Sequence, residues 1–415
     1  MNEMYERNIR SVWRTTLTSG KGLALVDRLR RKLPGSAKCC GCSACHAACF
    51  AGAISMLPDE EGFLQPVVDG GKCIGCGKCE KVCPVLDPGL PRNPLSVYAA
   101  KAKDDALRRI SSSGGMFSLL AREVLKKGGV VYGAAFETHT HRVIHQSAEN
   151  EEELDALRGS KYVQSDMGDV FRKVKTDLDA ERKVLFSGCP CQIAGLRRFL
   201  GKEYDNLLLV DVICHAAPSP LAWKKYLSCQ EHKAGTRILR TFSRRNCPWR
   251  KYSLSFEFAA ASGGAYVVNP ASDTYQRAFC TELFNRKCCH HCAFRSFKSG
   301  SDITIGDFWG VEKAHSEIND DIGVSAVCCN TRKGKDSFVG VIELTKYVQS
   351  SIDVVATHNK AIIGNHRINR KRVLFFSEVS DTNFDELVEM LLTPPWWYRT
   401  LRWIKWHTIG KPEES

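Results

Sequence analysis

Two dense cysteine runs between residues 39 and 84 constrain this chain more than any other feature. Residues 39–49 read CCGCSACHAAC, so Cys39, Cys42, Cys45 and Cys49 are spaced C-x2-C-x2-C-x3-C. Residues 73–84 read CIGCGKCEKVCP and repeat that spacing at Cys73, Cys76, Cys79 and Cys83, with Pro84 behind the last thiol. Three thiolates two residues apart let a tight loop wrap one face of an inorganic cube, and a fourth beyond a turn reaches a different cube. The expected ligation is therefore crossed. Cys39, Cys42, Cys45 and Cys83 hold one [4Fe–4S] cluster; Cys73, Cys76, Cys79 and Cys49 hold the second. A structural zinc site takes four ligands in two separated pairs, and these two runs exceed that need. Cys40 is a spare thiol, since only Cys39 keeps the two-residue spacing. Phe50 follows Cys49 in the place where proline is usual, which alters the local turn and not the ligation.

Between the runs, Ala53–Met56 and Gln65–Val68 read as two short strands paired around a glycine-containing turn. Residues 37–90 thus carry the internal pseudo-repeat of a bacterial-type ferredoxin.

The chain has 415 residues, enough for two to three domains. It contains no apolar run near the ~20 residues that span a bilayer. The N-terminus, MNEMYERNIRSVWRTTLTSGKG, lacks the apolar core of a secretory signal, so a cytoplasmic setting is expected. There the 20 cysteines point to metal or redox chemistry and not to disulfides. The formal net charge of +13 favours an acidic redox protein or an anionic organic cofactor or substrate. No recognised nucleic-acid-binding motif accompanies that charge, and no nucleic-acid partner is expected.

Residues 85–96, with three prolines, read as a linker. Beyond them strands alternate with helices. Val97–Ala100 is a strand, the segment SSSGGMFSLLAREVLKKGG a helix capped by Ser113 or a neighbouring serine and ended by Gly128, and Val130–Phe136 a strand. Lys183–Ser187 and Leu207–Ile213 are strands, each followed by a helix, at 192–200 and at 221 to about 231. Residues 254–258 and 265–268 flank Gly263-Gly264 as a hairpin, and 302–305 form a short strand. The pattern predicts an α/β domain with a largely parallel or mixed sheet. Ser111, Ser112, Ser113, Gly114 and Gly115 join a strand to a helix N-terminus, where backbone N–H groups can meet a pyrophosphate. The more common meaning of such a loop is a capped helix after a tight turn.

Cysteines recur where strands end. Gly188-Cys189-Pro190-Cys191 closes one strand, Cys214 the next, and RKCCHHCAFR places Cys288, Cys289 and Cys292 downstream. Ligand sites of open α/β sheets gather at such carboxyl ends. Cys191, Cys214, Cys289 and Cys292 are the candidate ligands of a third [4Fe–4S] cluster, against the alternative of buried free thiols. Cys229, Cys247, Cys280, Cys328 and Cys329 read as structural. His215, His290 and His291 read as neighbours of the thiols and not as ligands. Asp307 in GDFWG reads as an orienting group, a cofactor contact or a turn cap.

The blocks SSGGMFSLLAREVLKKGGVVYGAAF, GSKYVQSD, VLFSGCPCQIAGLRRFL, LLLVDVICHAAPSP, CCHHCAFR and DITIGDFWG occur in one order over about residues 37–330. In this the chain resembles the coenzyme F420 hydrogenase/dehydrogenase family of beta subunits, in the branch with a fused N-terminal ferredoxin domain. The resemblance implies a flavoprotein that binds FAD and iron–sulfur clusters and moves electrons between a deazaflavin or other organic acceptor and the clusters. It implies Ser112, Ser113, Gly114, Gly115, Lys161 and Tyr162 as part of the flavin site. The chain departs from the family at Cys189, where a small hydroxyl residue is usual, which leaves ligation open between Cys189 and Cys191. It departs again at Ala216, which replaces a glycine.

The expected architecture is an α+β ferredoxin-like dicluster module followed by an α/β mixed-sheet flavin and iron–sulfur domain. Residues 1–36 read as an extension, 37–90 as the dicluster module, 95–180 and 181–330 as the family's N- and C-terminal regions, and 331–415 as a C-terminal extension. In that extension 385–392 reads as a short helix. Trp396, Trp397, Trp403 and Trp406 then interleave with Arg399, Arg402 and Lys405. Such a segment can lie on an anionic membrane surface or pack on its own domain.

Overall fold

The computed structural model describes residues 33–245, 248–250, 254–259, 265–268, 273–364 and 368–393. The N-terminal extension up to residue 32, Cys247, Gly263-Gly264 and the basic aromatic tail lie outside the described residues.

In the cluster module, β1 (Ile54–Pro58) pairs antiparallel with β2 (Leu64–Val68), Ile54 opposite Val68. The turn between them is tied by Asp59, whose Oδ1 accepts from the N–H groups of Glu61 and Phe63 at 3.0 and 2.9 Å. An aspartate that bonds its own following backbone is a common way to close such a turn. The pseudo-repeat is visible in the backbone. Gly41 and Gly75 both have φ near +68°, at 68 and 69°. Ser43 and Gly77 cap the short helices Ala44–Ala48 and Lys78–Lys81 in the same left-handed conformation. Tight winding around a compact guest needs such positive-φ residues, which glycine adopts without strain.

Eight strands form the large sheet. They are β3 (Ser96–Ala102), β4 (Val130–Phe136), β5 (Val143–Ala148), β6 (Val184–Gly188), β7 (Leu207–Val212), β11 (Ile303–Asp307), β12 (Ser325–Cys329) and β13 (Thr345–Ser350). Their order is β13-β3-β12-β11-β7-β6-β4-β5. The centre, β11-β7-β6-β4, is parallel, and the pairs outside it are antiparallel. The sheet is therefore mixed. Its central strands are continuous apolar runs because both faces are covered. Val184 and Phe186 enter one core and Leu185 the other; Leu207 and Leu209 likewise oppose Leu208 and Val210. The helices Val170–Asp179 and Pro190–Leu200 cover the first face, together with Cys40, Cys42, Ala44 and Ala47 of the cluster module. A smaller antiparallel sheet holds β8 (Ile238–Ser243), β9 (Leu254–Phe258) and β10 (Ala265–Val268), with β9 central.

Helix boundaries follow local chemistry at several ends. Helix Pro190–Leu200 starts with proline in its first turn, the Cys189 N–H donating to Gln192 Oε1 at 2.8 Å, and ends at Gly201 with φ 70°. Helix Pro220–Ala234 is capped by Ser219, which accepts from the Ala222 N–H at 3.1 Å, and ends at Gly235. The serine-capped start expected near 113 does not form. Helix Met116–Leu125 is entered through Gly115 at φ 80°, with no side-chain cap. The serines are used elsewhere: Ser113 Oγ donates to the Val324 carbonyl, and Ser112 Oγ accepts from the Ser160 N–H.

The sheet also continues past residue 330, where a separate extension was expected. Strand β13 pairs with β3 as the edge, and helices Arg372–Glu378 and Phe384–Leu392 place Phe375, Phe384, Leu387 and Val388 in a core with Tyr226 and Tyr275. Each such side chain contributes roughly 1.5–3 kcal/mol by leaving water. β13 was not legible because TKYVQS has an exposed, mostly polar alternation typical of an edge. Arg372, itself buried, pairs through both terminal nitrogens with Glu61, tying this C-terminal part to the β1–β2 turn.

Candidate functional site

The first cluster loop brings its thiols together from both runs. The charge neighbours of Cys45 are Cys39, Cys83 and Cys79, and those of Cys39 include Cys40 and Cys83. Cys83, distant in sequence, therefore sits with the first run. Backbone N–H groups reach the sulfurs: Gly41 to Cys39 Sγ at 3.4 Å and Ala53 to Cys49 Sγ at 3.3 Å. Cys42, Cys45, Cys79 and Cys83 also accept backbone hydrogen bonds. Such donors favour the thiolate. Burial works the other way. It pushes Cys39 up to about 11, helped by the neighbouring Cys40, and raises Cys45, Cys79 and Cys83. These groups would be protonated as free thiols at neutral pH, and a coordinated metal would be needed to hold them deprotonated. Among the described residues no group of three or more His, Cys, Asp or Glu side chains converges on a single-ion site. Thiols spread around a cube need not converge on one point. Exposure divides the eight cysteines. Cys39, Cys42 and Cys83 are buried, whereas Cys76 is exposed and Cys45, Cys49, Cys73 and Cys79 are half-buried.

A second thiol group lies at the carboxyl ends of the parallel strands. β6 ends in Gly188 and leads to Cys189 and Cys191, and β7 leads to Cys214. One turn of 3-10 helix, Lys287–His291, presents Cys288 and Cys289, with Cys292 behind it. Cys214 lies beside Cys189 and has Cys289 and Cys292 as neighbours. Cys191 lies beside Cys40 and has Cys189 and Cys214 nearby. A hydrogen bond from Cys288 lowers Cys289 to about 7, and burial raises Cys292 to about 11. The fold thus assembles Cys191, Cys214, Cys289 and Cys292, and it adds Cys40, Cys189 and Cys288 to the same place. The cluster module comes close enough that a Cβ on Gly195 would lie 2.9 Å from Cys42 Sγ.

These thiols share a cavity of about 920 Å³ with the serine loop, a volume typical of cofactor and small-molecule sites. Ser112, Ser113, Gly115, Lys161 and Tyr162 line it; Gly114 does not. The Gly114 N–H is spent on Ser325 Oγ at 3.0 Å, and a Cβ there would strike the Ala100 carbonyl at 2.4 Å. Its glycine is needed for close packing against β3 and β12. Lys161 Nζ donates to the carbonyls of Ala156 and Arg158 at 2.9 and 2.6 Å, and burial lowers its pKa to about 7. The Tyr162 ring packs on Phe279 at 5.2 Å, and its hydroxyl lies 3.4 Å from Arg244. Asp307 holds Arg244 through two bonds of 2.6 and 3.0 Å and accepts from Trp249 Nε1 at 2.7 Å. It is an orienting group.

Sequence reasoning missed several wall residues. His145 on β5 is buried, which lowers its pKa to about 4; its Nε2 meets the Ser187 carbonyl at 3.1 Å while Nδ1 has no protein partner. Asn285 Oδ1 and Asn359 Oδ1 on the same wall are also without one. Buried polar atoms are normally satisfied, so these three leave room for a polar guest. A lone histidine in a strand carries no spacing signal that could have marked it. Cys280, read as structural, is exposed and lines the cavity, whereas Cys229, Cys328 and Cys329 are buried. His215 and His291 line the cavity, and His290 is buried beside Glu282 at 3.4 Å.

Three family models match the chain in succession. Residues 38–86 match the 4Fe-4S dicluster domain, 97–172 the N-terminal part of the coenzyme F420 hydrogenase/dehydrogenase beta subunit, and 181–354 its C-terminal part. A curated relative, one of the subunits of the F(420)H(2) dehydrogenase of Methanosarcina mazei, is 26% identical over 188 residues, 41% of this chain and 51% of that protein. The chain thus spans about half the length of that relative. A chain of the F420-reducing [NiFe] hydrogenase complex from Methanosarcina barkeri superposes with a TM-score of 0.44 and 16% identity, over 66% of this chain and 90% of that one. Among the described residues no helix is long and apolar enough to cross a membrane.

Proposed function

This chain belongs to the coenzyme F420 hydrogenase/dehydrogenase family of beta subunits, with a 4Fe-4S dicluster domain ahead of the family's own two regions. On that premise we propose that it is an iron–sulfur flavoprotein oxidoreductase of the cytoplasm, exchanging electrons between an organic hydride donor or acceptor and three [4Fe–4S] clusters. The observation that carries this reading is the junction of parts. The buried loop of the dicluster module touches a second thiol group through Cys40 and Cys191, on the wall of a cofactor-sized cavity.

The donor sets suit the groups proposed. Cys39, Cys42, Cys45 and Cys83 would hold the inner cluster of the module, and Cys49, Cys73, Cys76 and Cys79 the outer one. Cys191, Cys214, Cys289 and Cys292 would hold the third. Cys189 lies against Cys214, so the fourth ligand is Cys191 or Cys189. The cavity, its unpartnered His145, Asn285 and Asn359 atoms, Lys161, and the hydroxyls of the serine loop suit FAD. FAD bound there would supply hydride chemistry, and clusters take electrons singly. Lys161 and the wall of Ser112, Ser113 and Gly115 would bind and orient its phosphate end, and Tyr162 and Phe279 would exclude water. The organic substrate is of deazaflavin or polysaccharide-pathway type, anionic, and met by basic side chains. An acidic redox protein is the proposed partner at the exposed Cys76 side.

The test is anaerobic purification with iron, sulfide and flavin determination. About twelve iron atoms per chain with FAD supports the proposal. About eight without flavin leaves an electron carrier with no active site of its own.

A further inference from the structure

We propose that Arg286 is a counter-cation shared by the two thiol quartets that meet at the junction, and that its charge raises the reduction potential of the clusters they hold. The quartets are Cys39, Cys42, Cys45 and Cys83 on one side and Cys191, Cys214, Cys289 and Cys292 on the other. The proposal rests on the three-cluster reading above.

The Arg286 side chain is 1% exposed and spans three parts of the molecule. Its Nε donates to the Cys39 carbonyl at 2.8 Å, Nη1 to Gln164 Oε1 at 2.6 Å, and Nη2 to the Leu64 carbonyl at 2.9 Å. All three acceptors are neutral. The neighbouring carboxylate Glu61 is taken by Lys287 and Arg372. The groups beside Arg286 that can carry negative charge are the thiols of Cys39, Cys288, Cys40 and Cys289, drawn from both sides of the junction. Burying a cation among neutral acceptors is unfavourable unless an anion accompanies it. A cube held by four thiolates is such an anion, and each added electron makes it more negative. A fixed cation beside it therefore stabilises the reduced form.

The fold keeps the guanidinium against the loop. A Cβ on Gly41 would lie 2.7 Å from Arg286 Nη1, so the loop carries no side chain there. The Arg286 N–H donates to the Ala217 carbonyl at 2.9 Å, which anchors the turn that presents Cys288 and Cys289. The outer quartet, Cys49, Cys73, Cys76 and Cys79, includes the exposed Cys76 and none of the thiols Arg286 feels most. It supplies an internal control. Arg286 is a positioning residue: it stays protonated and passes no electrons.

The test is a potentiometric titration followed by electron paramagnetic resonance on the full-length, anaerobically prepared protein. Arg286→Gln is expected to lower the reduction equilibrium constant of two of the three clusters by roughly tenfold, about 59 mV for a one-electron couple, and to leave the third unchanged. Arg286→Lys restores most of that shift. Gln164→Glu keeps the bond to Arg286 but sets a carboxylate against the guanidinium and gives up the donation to the Cys40 carbonyl, and it lowers the same two midpoints. Three clusters whose midpoints stay fixed, or all move together, would overturn the proposal. If Arg286→Gln does not assemble its clusters, the Gln164→Glu comparison decides alone. Wild-type iron near about eight atoms defeats the three-cluster reading by itself. Arg286 must then still shift the inner module signal and spare the outer one, or the proposal fails.

Discussion

The thiol of Cys40 lies directly beside the thiol of Cys191. One belongs to the first loop of the dicluster module and the other to the first turn of the helix behind β6. Cys40 is the cysteine for which the ligand spacing has no use. Its contact shows that the module is docked onto the carboxyl end of the parallel strands and not merely tethered by the linker. Cys42, Ala44 and Ala47 share the core beneath it, and burying that surface fixes the docking.

The crossed ligation can be tested by a double-mutant cycle. Cys39→Ala and Cys83→Ala are each expected to remove the same cluster. The double variant should lose no more iron than either single one, whereas Cys83→Ala with Cys73→Ala should lose twice as much. Additive losses for the Cys39 and Cys83 pair would assign them to different clusters.

Gly195 lies where the helix behind β6 meets the module. Its substitution by alanine would place a methyl group 2.9 Å from Cys42 Sγ and 3.0 Å from Cys42 Cβ. Gly195→Ala should destabilise the protein by about 1–3 kcal/mol, the usual range for overpacking. Iron released on mild warming should come first from the inner cluster. Unchanged thermal unfolding and iron retention would refute the close docking.

Asp320 neutralises two buried cations, Lys101 at 2.6 Å and Arg108 at 2.8 and 2.9 Å. Those partners hold its carboxyl well below the usual carboxylate range, against the opposing effect of burial. Its folded pKa is thus below its unfolded one of about 3.9. Its contribution is fully present above that value and is lost as pH falls towards the folded pKa. Asp320→Asn should destabilise by about 3 kcal/mol at neutral pH, because buried Lys101 loses its carboxylate and buried Arg108 is left with Asp105 alone. Denaturant unfolding at pH 7 and pH 3 should show the variant's deficit shrinking in acid.

Lys161 behaves in the opposite way. Burial lowers it to about 7, with Asp155 opposing and Arg245 adding to that shift. The unfolded lysine titrates near about 10.4. Between those values the unfolded chain binds more protons, so stability rises with pH. Lys161→Met removes this dependence. Relative to wild type, the variant should be most favoured below pH 7 and lose that advantage as pH approaches 10. Melting temperatures measured across that range check the sign. On the proposed flavin site, FAD binding by the wild type in the same series is expected to weaken with rising pH as the Lys161 ammonium is lost.

Local chemistry was legible in the chain because it depends on neighbours in sequence. The thiol spacing marks a cluster module. The helices read at 192–200 and at 221 to about 231 are legible from their periodicity, and the structure extends them to Pro190–Leu200 and Pro220–Ala234. The apolar runs of β6 and β7 announce buried parallel strands. What needed the tertiary structure was everything set by distant segments meeting. Cys40 joins the second thiol group only because the module docks there, whereas Cys189 and Cys288 come with their neighbours Cys191 and Cys289. His145 is a single residue with no pattern around it, and Arg286, at the edge of the second cysteine block, gains its character only from burial against the module. Gly114 and the serines looked free for an anion, yet β12 had already claimed some of their donors. β13 hid as a polar edge. Ligand spacing is written along the backbone, while the cavity and its charges arise from packing between parts of the chain far apart in sequence.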